Sequence, residues 1–384
     1  EFRGTQVRLN NGEVLMNQYG EGNMTADILG YTQSNYLASF SDDGNVLDLE
    51  LGGSLSIVDG ILLSADSLKH WDNVLFVSPN GDDGAAVKNK LTRPWLTLDA
   101  AKTAATSGDL VVVLTGTYST PTNLWKDGVD WHFENVTTGG NITTEYASSN
   151  CVFKATSSGT VNVTGNLSAD QLIRIDTAGV NFTAQGFRLG QVFLGGGAIG
   201  ANVTVRTVET PGAIYVSANN SDPITDNVIN YHADTWVNAF SGYHYPIMFV
   251  NNTSSTPKKN NYTIEIGRVT ATSWPDQPKR GILQGRTVNH RFDSCTIVIK
   301  IGKGLFDMTS EFGMLGYFPY QAGVGNSLLV ECDDCEFRGS ASLGRNLVVQ
   351  GQDLFRIKGK YTTYSKTFPM LAFEVGHAST NQRL

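Results

Sequence analysis

The densest acidic group in the chain is Glu331, Asp333, Asp334 and Glu336, and Asp293 sits in a local echo of the same pattern. Cleaving a glycosidic bond takes two carboxylates placed across the sugar, one of them held as an acid. Residues two apart on a strand share a face, so Asp334 and Glu336 are spaced to point the same way. Asp293, Asp333, Asp334 and Glu336 are therefore the candidate catalytic residues. Asp is also a strong turn former, and the plainer expectation for these residues is a turn at a strand end.

A second set suits binding. Asn230 to Met248 and Ser273 to Arg291 are rich in aromatic and polar residues and contain Pro. Both are expected to project as loops, where function usually sits. Aromatic faces stack on pyranose rings, while a few placed polar groups fix the hydroxyls. Tyr231, Trp236, Tyr243, His244 and Trp274 are the candidate carbohydrate-binding residues, with Tyr245 beside them. Packing of these aromatics against the body or a subunit interface is the competing expectation.

Cys332 and Cys335 form a C-x-x-C pair, but no second ligand pair stands at a zinc spacing. They are expected to be packed thiols that bind no metal. His232 and His244 share one stretch, and hydrogen-bonded packing accounts for them better than ligation. No nucleophile elbow, P-loop or H-E-x-x-H motif occurs, so no cofactor is expected.

To position such residues the chain offers short strands. It has 384 residues, with Gly at 41 and Pro at only 11. Short apolar runs are split by Gly, Asn, Asp and Ser, as in Val152–Ala155, Val161–Thr164, Leu172–Ile175, Val180–Thr183, Thr296–Ile299, Leu328–Val330, Leu347–Val349 and Phe355–Ile357. That rhythm predicts a turn every few residues and almost no helix. The formal net charge is −8, which argues against a nucleic-acid partner. No apolar run reaches the length of about 18 residues that a spanning helix needs, so no membrane insertion is expected. Asn-X-Ser/Thr sequons recur, at Asn162, Asn181, Asn202 and Asn261 among others, and turn-strand alternation makes them without glycosylation. Four cysteines are too few for a disulfide framework. Glu1-Phe2-Arg3-Gly4 is no signal peptide, and the polar stretch His377 to Leu384 shows no closing strand. The numbering is expected to lie inside a longer protein.

Three zones follow: 1–72, a hairpin-rich adaptor; 73–125, an entry and cap; and 126–384, a body of stacked coils with projecting loops. In the first, Tyr36 to Glu50 reads as strand, tight turn, strand, and Ser54 to Ser64 as a further small hairpin. In the second, Leu75-Phe76-Val77 runs into Ser78-Pro79-Asn80-Gly81-Asp82-Asp83-Gly84, then Pro94-Trp95-Leu96-Thr97-Leu98 and an Ala-rich helix over Leu98 to Thr106. Gly108-Asp109 ends the helix, and Val111 to Leu114 is a buried strand turning out at Gly116-Thr117-Tyr118. In the third, Asp293-Ser294-Cys295 and Asp333-Asp334-Cys335 share one pattern, which predicts that Cys295 and Cys335 lie in one interior column about two coils apart.

The segment from Leu75 to Tyr118 resembles the entry of right-handed parallel β-helix proteins of the pectate-lyase-like superfamily. The hairpins around Phe40-Ser41-Asp42-Asp43-Gly44-Asn45 are similar to the adaptor pieces of phage tail fibres. The resemblance implies an all-β protein: a right-handed parallel β-helix with a small N-terminal β-rich adaptor. It implies a virion or extracellular location and a structural tail fibre or tailspike component for host attachment. Partners would be other tail proteins through the N-terminal region and a host surface polysaccharide, in a homotrimer. A secreted polysaccharide lyase or glycoside hydrolase is the rival reading, with Lys279, Arg280 and Arg286 as available bases, although no lyase motif is matched residue by residue. A bacterial surface adhesin is the third.

Overall fold

The protein is described by a computed structural model, which covers residues 6–8, 14–17, 55–58, 61–64, 71–119, 121–139, 151–218, 222–237, 247–252, 256–271, 283–285, 292–308, 316–317, 325–339 and 354–363. The chain divides into two compact units, Glu1–His70 and Trp71–Leu384.

In the first unit β1 (Gln6–Arg8) pairs antiparallel with β2 (Val14–Asn17), and β3 (Leu55–Val58) with β4 (Ile61–Ser64). Val58 faces Ile61 across the dipeptide Asp59-Gly60, the pair that favours a two-residue hairpin. The hairpin expected over 54–64 is thus present, while the one expected over 36–50 lies outside the described residues.

The second unit begins with β5 (Val74–Val77), α1 (Leu98–Ala104), β6 (Leu110–Val113), β7 (Gly116–Ser119), β8 (Asp130–Gly139) and β9 (Phe153–Ala155). It continues with β10 (Gly159–Ile175), β11 (Val180–Leu194), β12 (Asn202–Thr210), β13 (Ile214–Ala218), β14 (Val228–Val237) and β15 (Met248–Asn252). It runs on through β16 (Asn261–Ala271), β17 (Leu283–Gly285), β18 (Thr296–Met308), β19 (Gly316–Tyr317), β20 (Ser327–Gly339) and β21 (Leu354–Thr363). Every described pairing among these strands is parallel, which makes the unit a parallel β-helix.

The registers resolve three faces. The first stacks β5, β6 and the leading halves of the long strands; the second stacks β7 and their trailing halves. The third stacks β9, the ends of β10 and β11, and then β13, β15, β17 and β19. The strands expected at Val161 and Leu172 are one element, β10, which bends across faces without a loop. Leu347–Val349 lies outside the described residues. In β11 alternate residues are buried up to Phe187, after which the pattern breaks at Arg188, where the chain turns the corner.

One interior column on the first face runs Leu75, Val111, Trp131, Val163, Ala184, Val205, Tyr231, Ile264, Ile299, Val330. All ten are buried. Trp131 stacks on Phe133 at 6.0 Å and meets Phe153 edge-on at 6.3 Å, and Phe153 lies 5.4 Å from Phe182.

The corner leading into the first face is set by backbone chemistry. Gly179, Gly200, Asp226, Lys259, Ser294 and Gly325 occupy equivalent positions, all with positive φ between 53° and 74°. The next residue of each rung points inward: Val180, Ala201, Asn227, Asn260, Cys295 and Asn326. Asn227 N–H and Nδ2 donate to Asn260 Oδ1 at 3.0 and 2.9 Å, and Asn260 Nδ2 donates to the Ile224 carbonyl at 3.1 Å. Asn326 Oδ1 accepts from Cys295 N–H at 3.0 Å. Each buried amide thus satisfies the backbone of the rung beside it, which a buried polar group needs. Cys295 stands in the ladder as a substitute, its Sγ 3.5 Å from the Pro257 carbonyl and 3.4 Å from the Asp293 carbonyl. Burial pushes its thiol up to about 11, so it stays protonated and able to donate.

At the entry, α1 is shorter than the expected helix and ends at Ala104. Thr97 Oγ1 caps it by accepting from Ala100 N–H at 3.2 Å, and Asp83 accepts from Leu96 N–H, Thr97 N–H and Thr97 Oγ1 at 2.7, 3.0 and 2.8 Å. Leu98, Ala101 and Ala105 pack into the same core as Leu75 and Val111, so the helix covers the first coil. Asp109, fully buried, accepts from Asn73 Nδ2 at 2.8 Å, Lys88 Nζ at 2.6 Å, Thr106 N–H at 2.7 Å and Thr106 Oγ1 at 2.9 Å.

Candidate functional site

The aromatic candidates separate. Tyr231 and Trp236 are strand residues of β14, 1 % and 2 % exposed, with their rings in the interior. Tyr231 Oη pairs with Thr210 Oγ1 at 2.9 Å and donates to the Leu189 carbonyl, and Trp236 Nε1 donates to the Pro211 carbonyl at 3.2 Å. Neither offers a face to a sugar. The expectation of a projecting loop from 230 is corrected: β14 continues the stack as far as Val237. Within 273–291, Leu283–Gly285 forms β17 and stacks on β15, so that stretch too is in part a rung. Tyr243, His244 and Trp274 lie outside the described residues.

The carboxylate candidates separate as well. Asp293 bridges Lys258 at the corner leading into the first face. Asp333 and Asp334 are exposed at the opposite corner, where the first face meets the second, so Asp293 does not share their column. Asp334 lies 3.8 Å from Lys303. Glu336 stands opposite Leu305 in the register, and its side chain is outside the description. The expected Cys295–Cys335 column is also corrected. Cys335 stands opposite Gly304, whereas Cys295 precedes β18, and a single rung separates Thr296 from Ser327. Cys335 is disulfide-bonded, not the free thiol expected. Cys151 and Cys295 are buried free thiols.

What the structure does bring together is an edge. At the corner after the first face each rung turns two successive residues outward: Phe187 and Arg188, Val208 and Glu209, Asp234 and Thr235, Gly267 and Arg268, Gly302 and Lys303, Asp333 and Asp334. The neighbouring outward column on the first face is Arg206, His232, Glu265, Lys300, Glu331. So Asp333 and Asp334 share an edge with residues 232–235, two stretches far apart in sequence. A Cβ at Gly267 would stand 2.8 Å from the Asp234 carbonyl oxygen, and one at Gly302 equally close to that of Gly267. Close stacking therefore excludes side chains there and leaves a bare strip of backbone on the edge.

The charges on this edge are arranged in pairs. Lys300 Nζ meets Glu265 Oε1 at 2.7 Å, and His232 lies 3.5 Å from Asp234 and 3.7 Å from Glu265. The hydrogen bond from Lys300 holds the Glu265 carboxyl below its usual range, helped by His232, and Glu265 in turn raises Lys300. A general acid for sugar cleavage needs its pKa raised. Burial pushes Asp109 up, but the hydrogen bonds from Lys88, Asn73 and Thr106 outweigh it and bring the carboxyl below its usual value. Asp234 and Asp333 stand three rungs apart, roughly 14 Å, which exceeds the span of a glycosidase pair. Among the described residues no group of His, Cys, Asp and Glu is arranged to hold a metal. The edge suits binding of a polar surface better than bond cleavage.

Sequence reasoning missed an outward column on the third face, Lys154, Arg174, Phe193 and Tyr215, which the backbone register continues through Phe249, Gln284 and Tyr317. Phe193 and Tyr215 stack at 4.6 Å, and the Arg174 guanidinium sits 4.9 Å from the Phe193 centroid while paired with Asp176. The signal was a repeated aliphatic-aromatic-aliphatic triplet, Val192-Phe193-Leu194, Ile214-Tyr215-Val216 and Met248-Phe249-Val250. Phe193 and Tyr215 are themselves buried, which makes them a packed outer layer and not an open stacking platform.

Comparison with protein-family models, with curated proteins and with solved structures gives no match to this chain.

Proposed function

We propose that this chain is a structural attachment component of the phage tail fibre or tailspike type, which contacts a host surface polysaccharide through the exposed edge of its β-helix and does not cleave it. The observation that carries the reading is the edge itself: a ladder of outward side chains, charged or polar from His232 to Asp334, beside the bare Gly267–Gly302 backbone on a parallel stack. Such a surface suits a hydroxyl-rich polymer, whose groups can pair with exposed charges and open backbone. Binding is favoured over cleavage because both described carboxylates whose pKa departs from the ordinary value, Asp109 and Glu265, are shifted down. A trimer and contacts to other tail proteins through residues 1–72 belong to the same reading, on the sequence resemblance.

The test is to mix purified protein with polysaccharide isolated from candidate hosts. Retention of the polymer at unchanged viscosity, with no new reducing ends and no absorbance from an unsaturated uronate, is the expected result. Falling viscosity with either product would replace the proposal with a hydrolase or a lyase. Failure to adsorb to any host cell or bind any polysaccharide would remove the attachment role.

A further inference from the structure

Along the exposed edge, side chains on successive rungs avoid setting two permanent like charges side by side, with one exception. In the column Arg206, His232, Glu265, Lys300, Glu331, acid and base alternate from Glu265 onward. In the column Arg188, Glu209, Thr235, Arg268, Lys303, Asp334, the register sets Arg268 directly opposite Lys303. Like charges opposite one another on paired strands destabilise the pair. Lys303 is drawn toward Asp334 on its far side, 3.8 Å away, with both side chains open to solvent. Arg268 has neutral Thr235 on its other side and makes no side-chain hydrogen bond or ion pair among the described residues. In a protein with net charge −8, two cations set side by side, one of them without an acidic partner among the described residues, are a departure that local stability does not explain.

The surroundings give the departure a use. Arg268 and Lys303 each follow a glycine, Gly267 and Gly302, so no side chain stands between them and the column of Glu265 and Lys300. Lys300 is already neutralised by Glu265 at 2.7 Å. The unmatched positive charge is therefore that of Arg268, beside a Lys303 held only by an exposed ion pair to Asp334 at 3.8 Å. Asp234 and Asp333 occupy the corner one rung beyond each end of the bare strip, and repel further anions there.

We propose that Arg268 and Lys303 form a subsite for one oxyanion carried by a surface glycan, a uronate carboxylate or a sulfate ester, with the sugar lying over the Gly267–Gly302 backbone. Adjacent rungs are about 4.8 Å apart, so one oxyanion fits between the two cationic heads. The planar guanidinium takes two oxygens at once, and the ammonium adds a point charge. The acidic ends of the strip favour a polymer whose charged groups are separated by neutral sugars over a continuous polyanion. This inference rests on the attachment reading and narrows it to acidic glycans.

The experiment measures binding of the full chain to immobilised hyaluronan, dextran sulfate and neutral dextran. It compares the unchanged protein with Arg268→Gln, Lys303→Gln and, as a control, Lys90→Gln, an exposed cation in the entry segment. Hyaluronan and dextran sulfate separate the carboxylate from the sulfate source. Arg268→Gln and Lys303→Gln are each expected to weaken binding to the preferred acidic polymer by about tenfold, and Lys90→Gln to leave it unchanged. Arg268→Gln is also expected to raise the melting temperature slightly without glycan, because a like-charge contact is relieved. Equal losses in all three variants, or no loss in the first two, overturn the subsite. Binding to host or neutral polysaccharide but to no acidic polymer also overturns it, yet leaves the attachment reading standing. Binding to no polysaccharide at all ends both.

Discussion

At the corner leading into the first face, residue type repeats from rung to rung: a positive-φ residue, then an inward amide at Asn227, Asn260 and Asn326. At the corner leaving it, the outward residues are Phe187, Val208, Asp234, Gly267, Gly302 and Asp333, with no type in common. The same strands connect the two corners and the same spacing stacks them. The difference is the direction of the side chain that follows the turn, since the positive-φ residues are themselves exposed. Where a side chain points inward, the backbone beside it must find a partner inside the protein, and an amide one rung away supplies it. Where it points outward, water supplies the partner and the side chain is free to serve something else. Only the glycines break this freedom, because the carbonyl of the rung below stands where a Cβ would go.

The contrast should be widest in an amide deletion. Asn260→Ala leaves the buried Asn227 N–H without its acceptor and removes the bond to Ile224. We expect a loss of about 2–4 kcal/mol in urea unfolding, and a value under about 0.5 kcal/mol would break the comparison. Asp109→Asn extends the same rule to the entry rung. Because the folded pKa of Asp109 is lowered, its contribution is present above the unfolded carboxylate range and is lost as pH falls through the folded value. The variant should therefore be less stable by about 1–3 kcal/mol at pH 7, with the gap closing as the pH drops below about 3.9. A gap that persists undiminished at low pH would show that shape and not charge matters there. Cys295→Asn completes the ladder and should stabilise by about 1 kcal/mol, read as a higher denaturant midpoint; a lower midpoint would mean that the thiol pocket is too small for an amide. At the corner leaving the first face, Val208→Thr should move stability by less than about 0.5 kcal/mol, which thermal unfolding resolves.

The sequence was informative where a residue type answers a backbone demand. The turn cluster at Ser78 to Gly84, the helix start at Thr97 and the buried run at Val111 announced the entry because each carries a local cost if changed. The stacking of coils was legible from strand rhythm, yet the register was not. Cys295 and Cys335 share a pattern but not a column, since the pattern falls at opposite ends of the first face. Tyr231 and Trp236 looked like loop aromatics because His232, Asp234 and Asn238 lie among them, and alternation across a strand produces the same mixture. Asn181, Asn202 and Asn261, each followed two residues later by Thr, read as sequons; they stand in one outward column, with Val228 between the second and the third. The edge itself left no trace in the linear order, because Asp234 and Asp333 share it only through the stacking of intervening rungs.

The position of α1 has a consequence for how copies of this chain behave in concentrated solution. A parallel stack is a template at its ends: a bare terminal strand pairs with any extended segment that meets it, and head-to-tail growth follows. Here the outer side of β5 is engaged by Trp95, whose N–H donates to the Phe76 carbonyl at 2.8 Å, and Leu98 and Ala101 seal the apolar opening beneath it. Head-to-tail pairing is therefore blocked at this end by seven helical residues and one tryptophan, a segment that touches none of the edge chemistry.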